Sequence, residues 1–189
     1  MPREFVCHDC GKTFALADGI LARYPGWIPR QCLTCREGGS AGPETGVFTD
    51  GACEPNPGSG GWGAVKVIAG EIAEERHGSE EATTNNRMEL KALIEGYKML
   101  GQNEDLAVYS DSELCVNTIT KWAPTWERKG WKKKGGEIKN LDLVKELYEL
   151  ARSHPRTRLQ WIRGHSGTRW NEYADALSRV QRTEGISGG

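Results

Sequence analysis

The sequence predicts an α/β fold in which a five-stranded mixed sheet is flanked by helices, preceded by a small cysteine-containing module. After residue 46, strand-like and helix-like periodicities follow one another in the order βββαβααβα. That order implies a three-stranded meander followed by α/β crossovers, and therefore a mixed sheet. Two CxxC pairs stand before residue 36, and a stretch of small residues separates them from the rest.

Five stretches have the composition and spacing of β-strands. The first three form the meander, and a tight turn around Gly70 joins the second to the third. The fourth, LAVYSD, and the fifth, RLQWIRG, each come after a helical stretch, as crossover connections require. The predicted strands are residues 47–51, 61–70, 71–79, 106–111 and 158–164.

Four stretches are predicted to be helical. Apolar residues recur at helical spacing along MELKALIEGYKML, and Gly101 is a stop signal directly after it. NLDLVKELYELARS repeats this spacing and ends before Pro155. SELCVNTITKW and NEYADALSRVQ follow the last two strands. The predicted helices are residues 88–100, 112–122, 140–153 and 171–181.

Composition divides the chain into four parts. Glycine, serine and proline in EGGSAGPETG are typical of a linker, and the last residues have little to bury. The predicted parts are a module at 1–37, a flexible linker at 38–45, a large domain at 46–181 and a disordered tail at 182–189.

Charge is segregated along the chain, although the net charge is only −1. Residues 121–134 hold six cations against one acid, and residues 152–169 hold five arginines and no acid, whereas glutamates collect in 71–81. Such segregation favours a protein that binds nucleic acid along one face.

No apolar run approaches the ~18 residues of a membrane span, and MPREFVCHDC lacks the apolar core of a signal peptide. We therefore expect a cytoplasmic protein with reduced thiols and no membrane partner.

Three acids occupy positions at which carboxylates are costly. Asp50 and Asp111 fall at the carboxyl ends of predicted strands, where open α/β sheets place ligand sites. Glu89 lies at the margin of the apolar face of its helix. Carboxylates that share one site repel each other unless a hard divalent cation, Mg²⁺ or Mn²⁺, binds between them. The alternative for each acid is a helix cap or a solvated surface charge.

Five sequence blocks, in this order, resemble the successive motifs of the type 1 ribonuclease H family over residues 46–181. The blocks are TDGACEPNPGSGGWGA, TTNNRMEL, YSDSELCVNTITKW, KNLDLVKEL and RGHSGTRWNEYADALS. The resemblance implies an endonuclease that hydrolyses the RNA strand of RNA/DNA hybrids by two-metal-ion catalysis, leaving 5′-phosphate and 3′-hydroxyl ends. It also implies that two Mg²⁺ ions, with Mn²⁺ as an alternative, are held by Asp50, Glu89, Asp111 and Asp175.

The resemblance implies a role for each catalytic residue. Asp50 is expected to bridge both ions and Glu89 to assist on the substrate side, while Asp111 and Asp175 each complete the shell of one ion. His165 matches the auxiliary histidine, which could shuttle protons or speed product release. Its alternative is an ordinary histidine of a surface loop.

The substrate contacts implied by the resemblance fall on three surfaces. Asn56, Asn85 and Asn86 match minor-groove readers, with turn formation as their alternative. On the DNA side, the phosphate pocket and the aromatic and basic surfaces are matched by Thr84, Asn140, Trp122, Trp126 and Trp131. The sequence departs from the family at Leu114, in place of an aromatic residue, and at Ala82, in place of an arginine.

The amino-terminal module has the spacing of a zinc ribbon. CHDC and CLTC lie 21 residues apart, and four thiolates close a tetrahedral Zn²⁺ site. A disulfide pair or a rubredoxin-like iron site are the alternatives. The predicted structural zinc ligands are Cys7, Cys10, Cys32 and Cys35, whereas Cys53 and Cys115 are predicted to be packed thiols.

The expected partner is an RNA/DNA hybrid bound by a monomer. The amino-terminal module is expected to bind either nucleic acid or a protein, since its net charge is only slightly positive. Two other functions stay open, namely a non-cutting hybrid binder and a related nuclease such as a junction resolvase or a proofreading exonuclease. An intact carboxylate set argues against the binder, and TNNRMEL with the tryptophan–lysine stretch argues against the other nucleases.

Overall fold

The structure is a computed structural model of the 189-residue chain. It describes residues 3–8, 11–16, 18–23, 28–30, 32, 42–165 and 167–184, without the side chains of 19, 20, 23 and 181–184. Among these residues, no helix is both long enough and apolar enough to cross a membrane.

The main sheet is mixed and has five strands, as predicted, in the order β5-β4-β3-β6-β7. Strands β3, β4 and β5 form an antiparallel meander, and β6 and β7 add in parallel beside β3. The bounds are Gly46–Cys53 for β3, Gly58–Ile68 for β4, Glu71–Thr83 for β5, Ala107–Ser110 for β6 and Arg158–Trp161 for β7.

Helices cover both faces of the sheet. On one face, α2 and α5 enclose a core with Val47 and Val108 of the sheet. On the other, α6 packs against β3 and β4 around Phe48 and Val65. The bounds are Asn85–Lys98 for α2, Leu141–Ser153 for α5 and Arg169–Glu184 for α6, the last running beyond its predicted end at residue 181.

The predicted helix over 112–122 is instead three consecutive segments. Helix α3 spans Glu113–Asn117, a π-helical turn spans Thr118–Trp122, and α4 spans Ala123–Arg128. Within this stretch the hydroxyls of Thr118 and Thr120 donate to main-chain carbonyls four residues back. Pro124 lies in the first turn of α4, where a missing N–H costs nothing, so the helix continues past the predicted end.

Strand β4 begins before its predicted start at residue 61 because Gly58 pairs with β5 and Gly60 pairs with β3. Two glycines further along it let α6 approach closely. A Cβ atom on Gly61 would lie 2.1 Å from the carbonyl oxygen of Ser178, and one on Gly63 would lie 2.6 Å from that of Ala174. Only glycine therefore fits where the helix backbone crosses the strand. This contact brings one face of α6 to the centre of the sheet.

The described part of the amino-terminal module contains a hairpin and a short helix. Strands β1 (Arg3–Val6) and β2 (Thr13–Leu16) pair antiparallel, and α1 spans Asp18–Arg23. Cys7 and Cys32 are both buried, and the N–H of Cys32 donates to Sγ of Cys7 at 3.3 Å. The other two predicted zinc ligands, Cys10 and Cys35, lie outside the described residues.

The end of the predicted linker is packed on the large domain. Pro43 is buried. The carbonyl of Glu44 accepts from the N–H of Gly70, and the hydroxyl of Thr45 accepts from that of Ala69. These contacts tie the chain before β3 to the β4–β5 turn. The described part of the predicted linker is therefore fixed against the sheet.

Candidate active site

Three carboxylates from three elements meet at one end of the central strands. Asp50, Glu89 and Asp111 each offer an oxygen, and these oxygens all lie within 4.8 Å of one another. Asp50 lies within β3, one residue beyond the last β3–β6 pair, and Asp111 directly follows β6. The sequence placed Asp50 at a strand end, whereas β3 continues to Cys53 because its pairing with β4 persists.

A glycine allows Glu89 to join the two aspartates. A Cβ atom on Gly51 would lie 2.2 Å from the backbone nitrogen of Glu89, so α2 rests directly on β3 at this point. Thr84 caps the helix by accepting from the N–H of Arg87 at 3.4 Å. The Glu89 side chain is buried and accepts a hydrogen bond from the Gly51 backbone.

Helix α6 holds two of the carboxylates from the other side. The hydroxyl of Ser178 donates to Oδ2 of Asp50 at 3.1 Å, and Nδ2 of Asn171 donates to Oδ2 of Asp111 at 3.3 Å. Both residues are buried. Neither was identified from the sequence as part of the site, although Asn171 lies one helical turn before Asp175 on the same helix face.

Burial and mutual repulsion raise the pKa values of two carboxyl groups in this cluster. Burial, followed by the charges of Asp111 and Asp175, raises the pKa of Asp50 to about 8. Burial and the charges of the neighbouring aspartates also raise the pKa of Glu89 well above its ordinary range. The protein alone therefore disfavours full ionisation of the cluster.

The donor set fits a divalent metal ion. Oε2 of Glu89 is buried and has no hydrogen-bond partner among the described residues, although a buried acceptor normally has one. Ionised carboxylates offer only hard oxygen acceptors, which suit Mg²⁺. A cation bound between them would both satisfy this oxygen and offset the repulsion.

The fourth predicted ligand, Asp175, lies near the cluster but is engaged in an ion pair. Its Oδ1 accepts from Nε and Nη2 of Arg179 at 3.1 and 2.9 Å. It is not among the three carboxylates whose oxygens converge. Its charge nevertheless reaches Asp50 and Glu89, because it helps to raise the pKa of both.

The predicted auxiliary histidine lies in an exposed loop. His165 has a left-handed backbone with φ of 49° and an exposed side chain. The same loop lies directly against the carboxylate cluster, because a Cβ atom on Gly164 would lie 2.5 Å from Oδ2 of Asp111.

The predicted minor-groove readers form part of a hydrogen-bonded loop. Oδ1 of Asn56 accepts from the N–H of Asn85, and Oδ1 of Asn85 accepts from the N–H of Cys53, both at 3.2 Å. Asn86 is exposed. These bonds join the end of β3 and the loop after it to the start of α2, and so fix the side chains of Asn56 and Asn85. Cys53 and Cys115 are both buried, in accord with their prediction as packed thiols.

The predicted phosphate pocket contains an arginine that the sequence reading missed. A pocket of about 470 Å³ is lined by Thr84, Ala82 and Arg87, among others. The guanidinium of Arg87 donates to Oδ1 of Asn140 at 3.3 Å and is paired with Asp142 at 3.1 Å. Arg87 therefore brings a cation to the pocket where Ala82 lacks one.

The predicted aromatic and basic surfaces differ in exposure. Trp122 is exposed and lies 6.1 Å from the half-buried Trp126, measured between ring centroids. Leu114 is exposed nearby on α3. Trp131 is half-buried and packs edge-on against Tyr148, with Nζ of Lys145 5.4 Å from its centroid. Trp131 thus anchors the lysine-rich segment to α5.

Comparison with known proteins agrees with this site. A family model described as RNase H matches residues 43–183. The chain is 48% identical over 136 residues to Ribonuclease H of Syntrophomonas wolfei subsp. wolfei, covering 70% of this chain and 92% of that protein.

Two solved structures share the fold. LC9-RNase H1, described as a type 1 RNase H with the type 2 active-site motif, superposes with a TM-score of 0.63 at 34% identity, covering 76% of this chain and 74% of that one. LC11-RNase H1, solved in complex with RNA/DNA hybrid, gives a TM-score of 0.58 at 24% identity, covering 75% of this chain and 98% of that one. With the family model matching three quarters of its length and a close relative matched almost from end to end, the chain belongs to the ribonuclease H family.

Proposed function

We propose that this chain is an endonuclease that hydrolyses the RNA strand of RNA/DNA hybrids and leaves 5′-phosphate and 3′-hydroxyl ends. The observation that carries the proposal is the convergence of Asp50, Glu89 and Asp111, with one buried Glu89 oxygen lacking a partner. The complex of LC11-RNase H1 with RNA/DNA hybrid supports the choice of substrate.

The carboxylates would hold two divalent ions, Mg²⁺ or Mn²⁺. When bound, such ions supply a water of lowered pKa and stabilise charge on the leaving oxygen. Asp50 would be the ligand shared by both ions, because it offers an oxygen within 4.8 Å of one from Glu89 and one from Asp111, and its Oδ2 is held by Ser178. Asp175 would complete the set once its carboxylate exchanges Arg179 for a metal ion. His165, in its exposed loop, would shuttle protons or speed the release of product.

Neutral and charged groups around the cluster would hold the substrate. The fixed amides of Asn56 and Asn85, with the exposed Asn86, would contact the 2′-hydroxyls of the RNA strand. Thr84, Arg87 and Asn140 would hold a DNA phosphate, while Trp122 and Trp126 would contact DNA sugars and Trp131 would position the basic segment.

The decisive experiment compares three duplexes of one sequence, RNA/DNA, RNA/RNA and DNA/DNA, with Mg²⁺. We expect cleavage of the RNA strand in the hybrid alone, which also separates this function from resolvase and exonuclease activity. Asp111→Asn should lose cleavage and retain hybrid binding, since the amide keeps the shape of the carboxylate. Asp105→Asn, on the loop before β6, is the matched control and should cleave normally. Cleavage by Asp111→Asn would contradict the proposal.

We propose that residues 1–37 form a module separate from a catalytic domain at 46–181. In this module, a structural zinc ion would be held by Cys7, Cys10, Cys32 and Cys35. The buried thiols of Cys7 and Cys32 and the N–H···S bond between them support it, because metal-bound thiolates commonly accept such bonds. Elemental analysis should find one zinc per chain, lost in Cys7→Ser. Iron in its place, or no metal together with a disulfide, would overturn the assignment.

A further inference from the structure

A groove separates the amino-terminal hairpin from the edge of the main sheet. Helix α6 packs on β3, β4 and β5, whereas residues of β6 and β7 line the groove together with residues of the amino-terminal module. The groove has a volume of about 970 Å³. Its walls are His8, Lys12 and Arg30 on one side and Tyr109, Arg158 and Trp161 on the other.

The groove is rich in unpaired positive charge. Lys12, Arg30 and Arg158 are exposed, and none of the three forms an ion pair within the described part of the chain. Glu44 is the one acid in its lining, as far as the described residues go. With three cations against one acid, the described lining has a net positive charge, which attracts anionic partners. The charge of the groove therefore complements a polyanion.

The groove also begins beside the catalytic cluster and offers an aromatic surface there. The indole N–H of Trp161 donates to the backbone carbonyl of Asp111 at 3.0 Å. The indole is 37% exposed, and its centroid lies 6.3 Å from that of the His8 imidazole. A strand that leaves the metal cluster toward β7 would meet this ring pair first.

We propose that this groove binds single-stranded nucleic acid that continues from the hybrid, so that the enzyme favours hybrids next to a single-stranded extension. The proposal rests on the proposed function of the metal cluster. A narrow basic groove with aromatic side chains is the usual design for single strands, because bases stack on the rings while cations follow the backbone. Nucleic acid is favoured over a protein partner because the lining combines three cations with the exposed rings of His8 and Trp161, and Trp161 is hydrogen-bonded to the backbone of Asp111.

The test uses one hybrid in five forms: blunt, or with a single-stranded extension of about 8 nucleotides at one of its four strand ends, a length within the range of single-strand sites. The groove variant is Lys12→Gln/Arg30→Gln/Arg158→Gln. The control variant, Arg76→Gln/Lys98→Gln/Arg152→Gln, loses the same charge from β5, α2 and α5, whose residues are not among the described residues that line the groove. The readouts are kcat/KM for each form and the salt dependence of binding.

We expect the wild type and the control variant to prefer at least one extended hybrid by about 5-fold or more, and the groove variant to treat extended and blunt hybrids alike. Loss of three backbone contacts should also reduce the salt slope for the preferred extended form by about 2, at about 0.7 per single-strand phosphate contact. Equal values of kcat/KM on the blunt hybrid for all three proteins would show that the variants fold and that the carboxylate cluster is active in each.

Two results would overturn the proposal. One is that the wild type cleaves no extended hybrid with a higher kcat/KM than the blunt hybrid. The other is that the groove variant still prefers an extended hybrid over the blunt one. A groove variant that is equally impaired on blunt hybrid would also contradict it, because its cations would then belong to the main substrate grip. Failure of the proposed function looks different, since the wild type would then leave the blunt hybrid uncut.

Discussion

Ser178 of α6 donates its hydroxyl to Oδ2 of Asp50 of β3, at 3.1 Å, while also contacting the carbonyl of Asp175 at 2.8 Å. The bond holds one oxygen of the same carboxylate that converges with Glu89 and Asp111. A hydroxyl that orients a carboxylate in this way reduces the reorganisation needed when a cation binds.

Ser178→Ala is therefore expected to weaken Mg²⁺ binding while leaving the fold intact. A hydrogen bond to a charged group contributes about 1.5–3 kcal/mol, so the Mg²⁺ concentration for half-maximal activity should rise by about 10-fold or more. The Mg²⁺-induced rise in melting temperature should need correspondingly more metal. Ser153→Ala is the control, because its hydroxyl likewise bonds a carbonyl three residues back but touches no carboxylate. An unchanged Mg²⁺ requirement would contradict this role.

How far the sequence predicts the site depends on which element supplies each residue. Asp50, Glu89 and Asp111 were predicted because each stands inside a recognisable motif next to a regular element. Ser178 and Asn171 were not, since their roles exist only because α6 crosses β4 at Gly61 and comes within reach of the metal cluster. Close approach between distant segments leaves no periodic signal in either segment.

The fold, like the site, was predicted where a periodic pattern specifies it and was missed elsewhere. The strand order and the main helices follow from periodicity, so the sheet was predicted correctly. The division of 112–122 was missed, because its apolar pattern is the same for an α-helix and for a helix with a π-helical turn. The ion pair between Asp175 and Arg179 was also missed, although the spacing of four residues allows it. Motif position alone did not indicate which partner Asp175 would take.

Gly51→Ala is predicted to damage both stability and catalysis. The added Cβ atom would lie 2.2 Å from the backbone nitrogen of Glu89, and a helix backbone cannot move aside as a flexible side chain can. Overpacking of this kind costs about 1–3 kcal/mol, which corresponds to a fall of about 2–12 °C in melting temperature. Displaced Glu89 should also raise the Mg²⁺ requirement. Gly101→Ala, whose Cβ would meet nothing closer than 3.6 Å, should leave melting and activity unchanged.

Arg87→Gln is predicted to weaken substrate binding more than turnover. The guanidinium lines the predicted phosphate pocket and is not one of the converging carboxylates, so KM for the hybrid should rise by about 5–10-fold at nearly constant kcat. Loss of one phosphate contact should reduce the salt slope of binding by about 0.9. Arg76→Gln, which removes a similarly half-buried arginine paired with Glu74 and Glu95, is the control. A fall in kcat with unchanged KM would contradict the pocket assignment.

The raised pKa of Asp50 predicts how the stability of the metal-free protein depends on pH. Its folded pKa of about 8 lies above the ordinary value of 3.8, so the folded state binds more protons than the unfolded state between these pH values. Stability should therefore be highest near the acid end of this range and should fall as pH rises from about 4 to about 8. The measurement is the melting temperature across this range without Mg²⁺.

Asp50→Asn tests the origin of that pH dependence. Without the charge at this position, repulsion with Glu89 and Asp111 is removed, so the fall in melting temperature between pH 4 and 8 should be shallower than in the wild type. The variant should melt higher than the wild type at pH 8 in Mg²⁺-free buffer and should gain little from added Mg²⁺. The wild type, in contrast, should recover stability at pH 8 as Mg²⁺ binds, because ligation favours the folded state. Parallel pH profiles for the two proteins would mean that the repulsion arises elsewhere than at the metal cluster.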